Sequence, residues 1–133
     1  MTDAHPNLAL LERLFKLIPF GLASTKDLLA DDFVWHYFNP RLPELEGDYA
    51  GANGLQMLLQ KLGMLTKGTF RVKEGQVIPV GDELVVTTNK PMMTLEGKSF
   101  ETDAVVVWLV VENRIAEAGD IPAIHSSRPK MQD

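Results

Sequence analysis

The chain has 133 residues, of which 45% are hydrophobic and 23% charged, the size and balance of one globular domain whose core needs no disulfide or metal. Lys and Arg number 13 and Asp and Glu 18, a formal charge of −5, so neither nucleic acid nor an anionic membrane is an expected partner, since both require a basic face. The absence of cysteine removes disulfides, thiol catalysis and thiolate metal sites together.

In chain order, Met1 to Leu22 carries Glu12, Arg13 and Lys16 and no unbroken apolar run. Neither a secretory signal nor a membrane span is expected there, and a cytoplasmic location is. Leu8, Leu11, Phe15 and Ile18 form one apolar stripe, which predicts a helix over 6–18 between Pro6 and Pro19. Ser24 to Asp27 has the spacing of a capping box and predicts a second, short helix through Leu28, Leu29 and Ala30, closed by Asp31-Asp32. The aromatic and branched run Phe33 to Phe38 reads as a strand. Asn39 to Gly54, with two prolines and three glycines, reads as a long loop, and Leu55, Leu58, Leu59 and Leu62 as a third helix stopped by Gly63.

Beyond Lys67-Gly68 the pattern is of strands: 70–80, 84–95, a long strand 98–111, and 115–124, with turns at Gly81-Asp82, Glu96-Gly97 and Glu112-Asn113. Pro91 requires an edge or a bulge. Helices followed by consecutive hairpins predict an α+β domain spanning 1–133, a cone of three helices packed on a strongly curved, mostly antiparallel sheet that encloses a pocket.

With Leu28 to His36, Tyr49-Ala50-Gly51 and the ending Asn113 to Ile121 in hand, the chain resembles the superfamily of ketosteroid isomerase, SnoaL-like polyketide cyclases, limonene epoxide hydrolase and nuclear transport factor 2. The resemblance covers Leu8 to about Ala123. It places the isomerase's oxyanion-binding Tyr at Leu14, its base near Tyr37 and its protonated Asp near Val106, so that mechanism is not expected here. It places the hydrolase's Arg and first Asp near Asn89 and Pro91, its water-holding pair on Trp35 and Tyr37, and its other Asp on Asp120. The cyclases' single acid also falls near Asp120.

Asp120 lies among Ala118, Gly119, Ile121 and Pro122, and alternation puts it on one face with Ala116 and Ala118. It reads either as a solvated or capping carboxylate at a strand end, or as a desolvated general acid/base. Trp35 and Tyr37 share one strand face, as do Val106 and Trp108; aromatics so spaced are core or, near a cone's mouth, pocket wall. Trp35, Tyr37 and Asn89 are the candidate hydrogen-bond partners of a ligand and of Asp120. His36 faces the other way and is expected to pair with a neighbouring strand or another subunit. Asp103 opposes Val106 and ranks below Asp120. Gly51 to Gly54 is expected to be a turn rather than an anion site, and His5, His36 and His125 share no metal-ligand spacing.

Two function classes stand. One is a cofactor-independent isomerase, cyclase or hydrolase acting on an apolar carbonyl- or epoxide-type molecule, with Asp120 moving the proton and Trp35, Tyr37, Asn89, Val106, Trp108 and Ala118 around the substrate. The other is a non-catalytic module of the same fold that holds a hydrophobic ligand, or serves as an adaptor through its outer face. No metal or cofactor is expected. A homodimer is, because Val105 to Val111 is apolar on both faces and only one face has helices to cover it.

Overall fold

The computed structural model describes residues 5–17 and 27–123. Its first helix, α1 (Pro6–Leu17), begins with Pro6 where the missing N–H costs nothing. Its buried face is Asn7, Leu10, Leu11 and Leu14, so the stripe is turned from the one expected, and Leu8 and Phe15 lie at its margins. Asn7 is tied down by a side-chain bond to the Asp82 carbonyl (2.9 Å).

Strand β1 (Leu29–Tyr37) starts four residues earlier than expected. Leu29 to Asp32, assigned above to a short second helix, belongs to this strand, and the capping residues Ser24 to Lys26 lie outside the described residues. Tertiary pairing overrides a three-residue helical signal: Leu29 is in register with Ile115 and buried against the core. Two α-helices, rather than three, are therefore seen among the described residues. The loop after β1 is also more ordered than its prolines and glycines imply. It contains a 3₁₀ turn (Pro43–Leu45), then β2 (Gly47–Ala50), and runs directly into α2 (Gly51–Leu65). Gly51 to Gly54 is thus the first turn of that helix, not a separate turn. Gly54 has a reason there, since a Cβ would lie 2.7 Å from the Tyr49 carbonyl carbon.

The remaining strands are β3 (Arg71–Val80), β4 (Leu84–Leu95), β5 (Lys98–Glu101), β6 (Ala104–Val111) and β7 (Arg114–Pro122). They and the first two form one curved sheet in the order β2-β1-β7-β6-β4-β3, with β5 pairing the far end of β4. All pairings are antiparallel except β1 with β7, so the sheet is mixed. The expected long strand 98–111 is two strands. β4 pairs β6 as far as Asn89 and β5 from Met92 onward, and Pro91, which has no N–H to give, occupies the change-over with its carbonyl accepting from Thr102 N (3.1 Å). Glu112-Asn113 and Glu96-Gly97 have positive φ at both positions, the turn geometry whose twist suits a two-residue hairpin.

Two apolar clusters fill the concave side. The first joins α1 to Phe33, Val85, Trp108, Val110 and Ile115; the second joins Leu58 and Leu62 of α2 to Tyr37, Leu42, Leu45 and Met93. Trp35 and Leu59 pack against both. Each fully buried leucine contributes roughly 1.5–3 kcal/mol, so these clusters hold the helices on the sheet. The Leu109/Val110 register shift makes Ala116 the extra residue of a bulge; Ile115, not Ala116, joins Ala118 on the inner face.

Candidate functional site

Strand register assembles the site. In the parallel pair Trp35 lies beside Ala118 and His36 beside Gly119, which sets Tyr37 next to Asp120; in the antiparallel pair Val106 lies beside Asp120. Alternation then aims Trp35, Tyr37, Val106 and Asp120 to the concave side. The Asp120 carboxyl accepts a hydrogen bond from Trp35 Nε1 through Oδ1. No ion pair reaches it among the described residues. Burial therefore dominates, opposed by the Trp35 donor, and pushes the carboxyl up to about 7.

Trp35 is itself positioned edge-on to Trp108, with ring centroids 5.2 Å apart and planes at 86°, and Trp108 stands edge-on to Phe15 (5.7 Å). Trp108 spends its indole N–H on Thr87 Oγ1 (2.9 Å). Val106, Trp108 and Ala118 are all nearly inaccessible, so they belong to the packed core beside Trp35 and Asp120. Tyr37 is also buried, and its hydroxyl accepts a bond from Asn39 Nδ2 (3.0 Å). Burial, with a smaller push from the negative charge of Asp120, raises the phenol to about 12, so it stays a proton donor.

Asn89 is not brought to Asp120. It accepts from Thr87 Oγ1 (3.3 Å) and lines an open surface cleft of about 530 Å³ with Lys73, Thr88 and Ile121. Asp103 pairs with Lys90 in solvent (3.4 Å). Leu14 is core. His36 lies on the convex side between Asp48 (2.7 Å) and Glu117 (2.5 Å), as alternation implied. No group of three or more potential metal ligands is seen among the described residues, and no helix there is long and apolar enough to cross a membrane.

No family model matches the sequence, and no curated protein matches it. The fold is shared with solved structures. A nuclear transport factor 2-like protein of unknown function from Burkholderia pseudomallei superposes with a TM-score of 0.76 at 18% identity, covering 96% of this chain and 95% of its own. The chain has the nuclear transport factor 2-like fold. Within that fold it is also similar to a putative SnoaL-like polyketide cyclase from Jannaschia sp. CCS1 (TM-score 0.67, 12% identity, 96% and 94% covered). TerC, co-crystallised with polyporic acid, superposes with a TM-score of 0.75 at 18% identity, covering 92% and 95%.

Two features of this chain were missed in the sequence. Thr87 is a buried polar residue that satisfies the Trp108 indole; its flanking valines and Thr88 gave it the look of any strand residue. Asn39, read as the start of a loop, contacts Tyr37. The Asn-Pro pair was its only signal.

Proposed function

We propose that the protein is a cofactor-independent enzyme that moves a proton on an apolar carbonyl compound, with Asp120 as general acid/base. The observation that carries this reading is an acid on the concave face held by one neutral donor, Trp35, and brought to about 7 by burial. At neutral pH both its forms are then populated, which suits a group that must take and return a proton.

The Trp35 bond occupies Oδ1 and leaves Oδ2 as the proton carrier. Oδ2 takes a proton from carbon next to a carbonyl; the C–H pair becomes the C=C bond of an enolate, and the carbonyl π pair moves onto oxygen. The Tyr37 O–H donates to that oxygen. Once Oδ2 has swapped its proton with solvent, return to the same carbon completes exchange, and delivery to another carbon completes isomerisation. In cyclisation the enolate carbon attacks a second carbonyl of the substrate as the first C=O re-forms, and the π pair of the attacked carbonyl moves onto its oxygen, which takes the proton from Oδ2. A neutral ligand suits an acid that no ion pair reaches among the described residues.

The test is exchange of the α-protons of 2-tetralone in D₂O, followed by proton NMR. Wild-type protein accelerates exchange, and Asp120→Asn loses the acceleration by two or more orders of magnitude with an unchanged circular dichroism spectrum. Equal rates for the two proteins overturn the proposal. One observation favours a second reading, a non-catalytic structural or adaptor module: neither described surface cleft includes Asp120. Neither binding nor exchange of 2-tetralone is its outcome.

A further inference from the structure

The loop after β1 offers an inference that rests on the reading of Asp120 above and extends it to a residue outside the strands. Asn39 is bonded through nearly all its polar groups. Its backbone N–H donates to Glu46 Oε2 (3.0 Å), its backbone carbonyl accepts from Leu42 N (2.9 Å), and its side-chain Oδ1 accepts from Arg41 N (3.0 Å). A backbone N–H can only donate, so the Asn39 atom facing it is the oxygen, and the atom facing Tyr37 Oη at 3.0 Å is the NH₂ nitrogen. That assignment fixes the phenol. A phenolic O–H lies near the ring plane and has two orientations; the Asn39 donor occupies one side of Oη, so the proton takes the other.

We propose that Asn39 is a positioning residue of the Asp120 site, locking the Tyr37 hydroxyl as a donor toward the concave side, where it receives the carbonyl oxygen of a neutral ketone. Two geometric facts join this device to the acid. Tyr37 follows His36, whose register partner is Gly119, so the phenol and the Asp120 carboxyl project from adjacent strands on one row. Tyr37 also packs with Leu42 and Leu45 of the same loop that Asn39 opens, so the ring is held while its hydroxyl is oriented. A donor oriented before the ligand arrives needs no reorganisation when negative charge develops on the oxygen. The pairing selects a ligand whose carbonyl oxygen sits at Tyr37 while an adjacent C–H sits at Asp120, which an ether or a hydrocarbon does not supply.

The experiment is the infrared carbonyl stretch of 2-tetralone bound to wild-type protein, Asn39→Asp and Asp120→Asn. Asn39→Asp keeps the acceptor for Arg41 N but replaces the donor to Tyr37 with a second acceptor, so the phenol turns its proton to the loop. Asn39→Ser, which keeps a turn acceptor and is too short to reach Tyr37, serves if the added charge unfolds the loop. The expected result is a stretch lowered in wild type relative to hexane, restored to the hexane value in Asn39→Asp and broadened in Asn39→Ser. It stays lowered in Asp120→Asn. Exchange in Asn39→Asp falls by about 10²-fold, in kcat and not in KM. An unshifted stretch in wild type, or a shift that survives both Asn39 variants, overturns the inference, and failure of 2-tetralone to bind overturns the ligand class. The reading of Asp120 fails separately, by exchange that persists in Asp120→Asn while the stretch behaves as stated.

Discussion

Trp35 on β1 donates its indole N–H to the carboxyl of Asp120 on β7, across the parallel seam of the sheet. The two residues are 85 positions apart in sequence. Their bond opposes the effect of burial on the acid, so the site depends on which of the two dominates, and burial does.

Replacing Trp35 tests that competition directly. Trp35→Phe keeps an aromatic ring against Trp108 but removes the one donor to the ionised acid seen among the described residues. The Asp120 carboxyl is then expected to titrate above 7, as measured from its side-chain carboxyl carbon by NMR. A downward move would contradict the assignment of the Trp35 bond. Stability falls by about 1–3 kcal/mol, from lost packing and the unfilled volume left by a smaller ring.

Asp120 also gives stability a pH dependence of unusual sign for a carboxylate. Its folded value of about 7 lies above the ordinary 3.8, so between those limits the folded state holds more proton than the unfolded one. Its contribution is fully present at acid pH and declines as pH rises toward and through 7. Asp120→Asn removes that decline. The melting-temperature difference between variant and wild type should therefore move in favour of the variant from pH 4.5 to pH 7.5. A constant difference would show an acid that titrates normally.

His36 behaves in the opposite part of the range. Both of its ring nitrogens face carboxylate oxygens, Asp48 on β2 and Glu117 on β7, an arrangement only the doubly protonated ring satisfies. The bonds to Asp48 and then Glu117 raise its pKa above 6.5, so the clamp is fully made below 6.5 and is lost as pH rises through the raised value. The ring is well exposed, so solvent screening limits its worth to about 1 kcal/mol. His36→Gln should be less stable than wild type at pH 6, equal to it at pH 9, and less affected in 1 M salt. A deficit that persists at pH 9 would assign the effect to packing instead.

The convex face is the basis of a further expectation, a homodimer. Ile78, Val80, Leu84 and Val111 are each more than a third exposed and Ile121 is 63% exposed, and Val105, Val107 and Leu109 alternate outward between them. An antiparallel sheet with a solvated outer face would carry polar residues there; a second copy laid on the same surface buries these side chains by symmetry. Sedimentation at micromolar concentration should give twice the chain mass for wild type and a monomer for Val107→Glu. A wild-type monomer would remove the proposal.

Local pattern alone was enough to read the class of the domain, the turns after Gly68 and the side of the sheet to which Trp35, Tyr37, Val106 and Asp120 belong. These depend on local quantities: a period of two along a strand, and the backbone conformations that Glu96-Gly97 and Glu112-Asn113 accept. It did not show that Leu29 to Asp32 is strand, that β2 lies inside a proline- and glycine-rich segment, or that Ala116 is a bulge which turns Ile115 inward. Each of those is decided by the strand lying alongside, and the hydrogen bonds involved join residues far apart in the chain. The site follows the same division. Alternation told which way Asp120 points; only the parallel pairing of β1 with β7 set Trp35 and Tyr37 beside it, and only the folded loop turned Asn39 onto the Tyr37 hydroxyl.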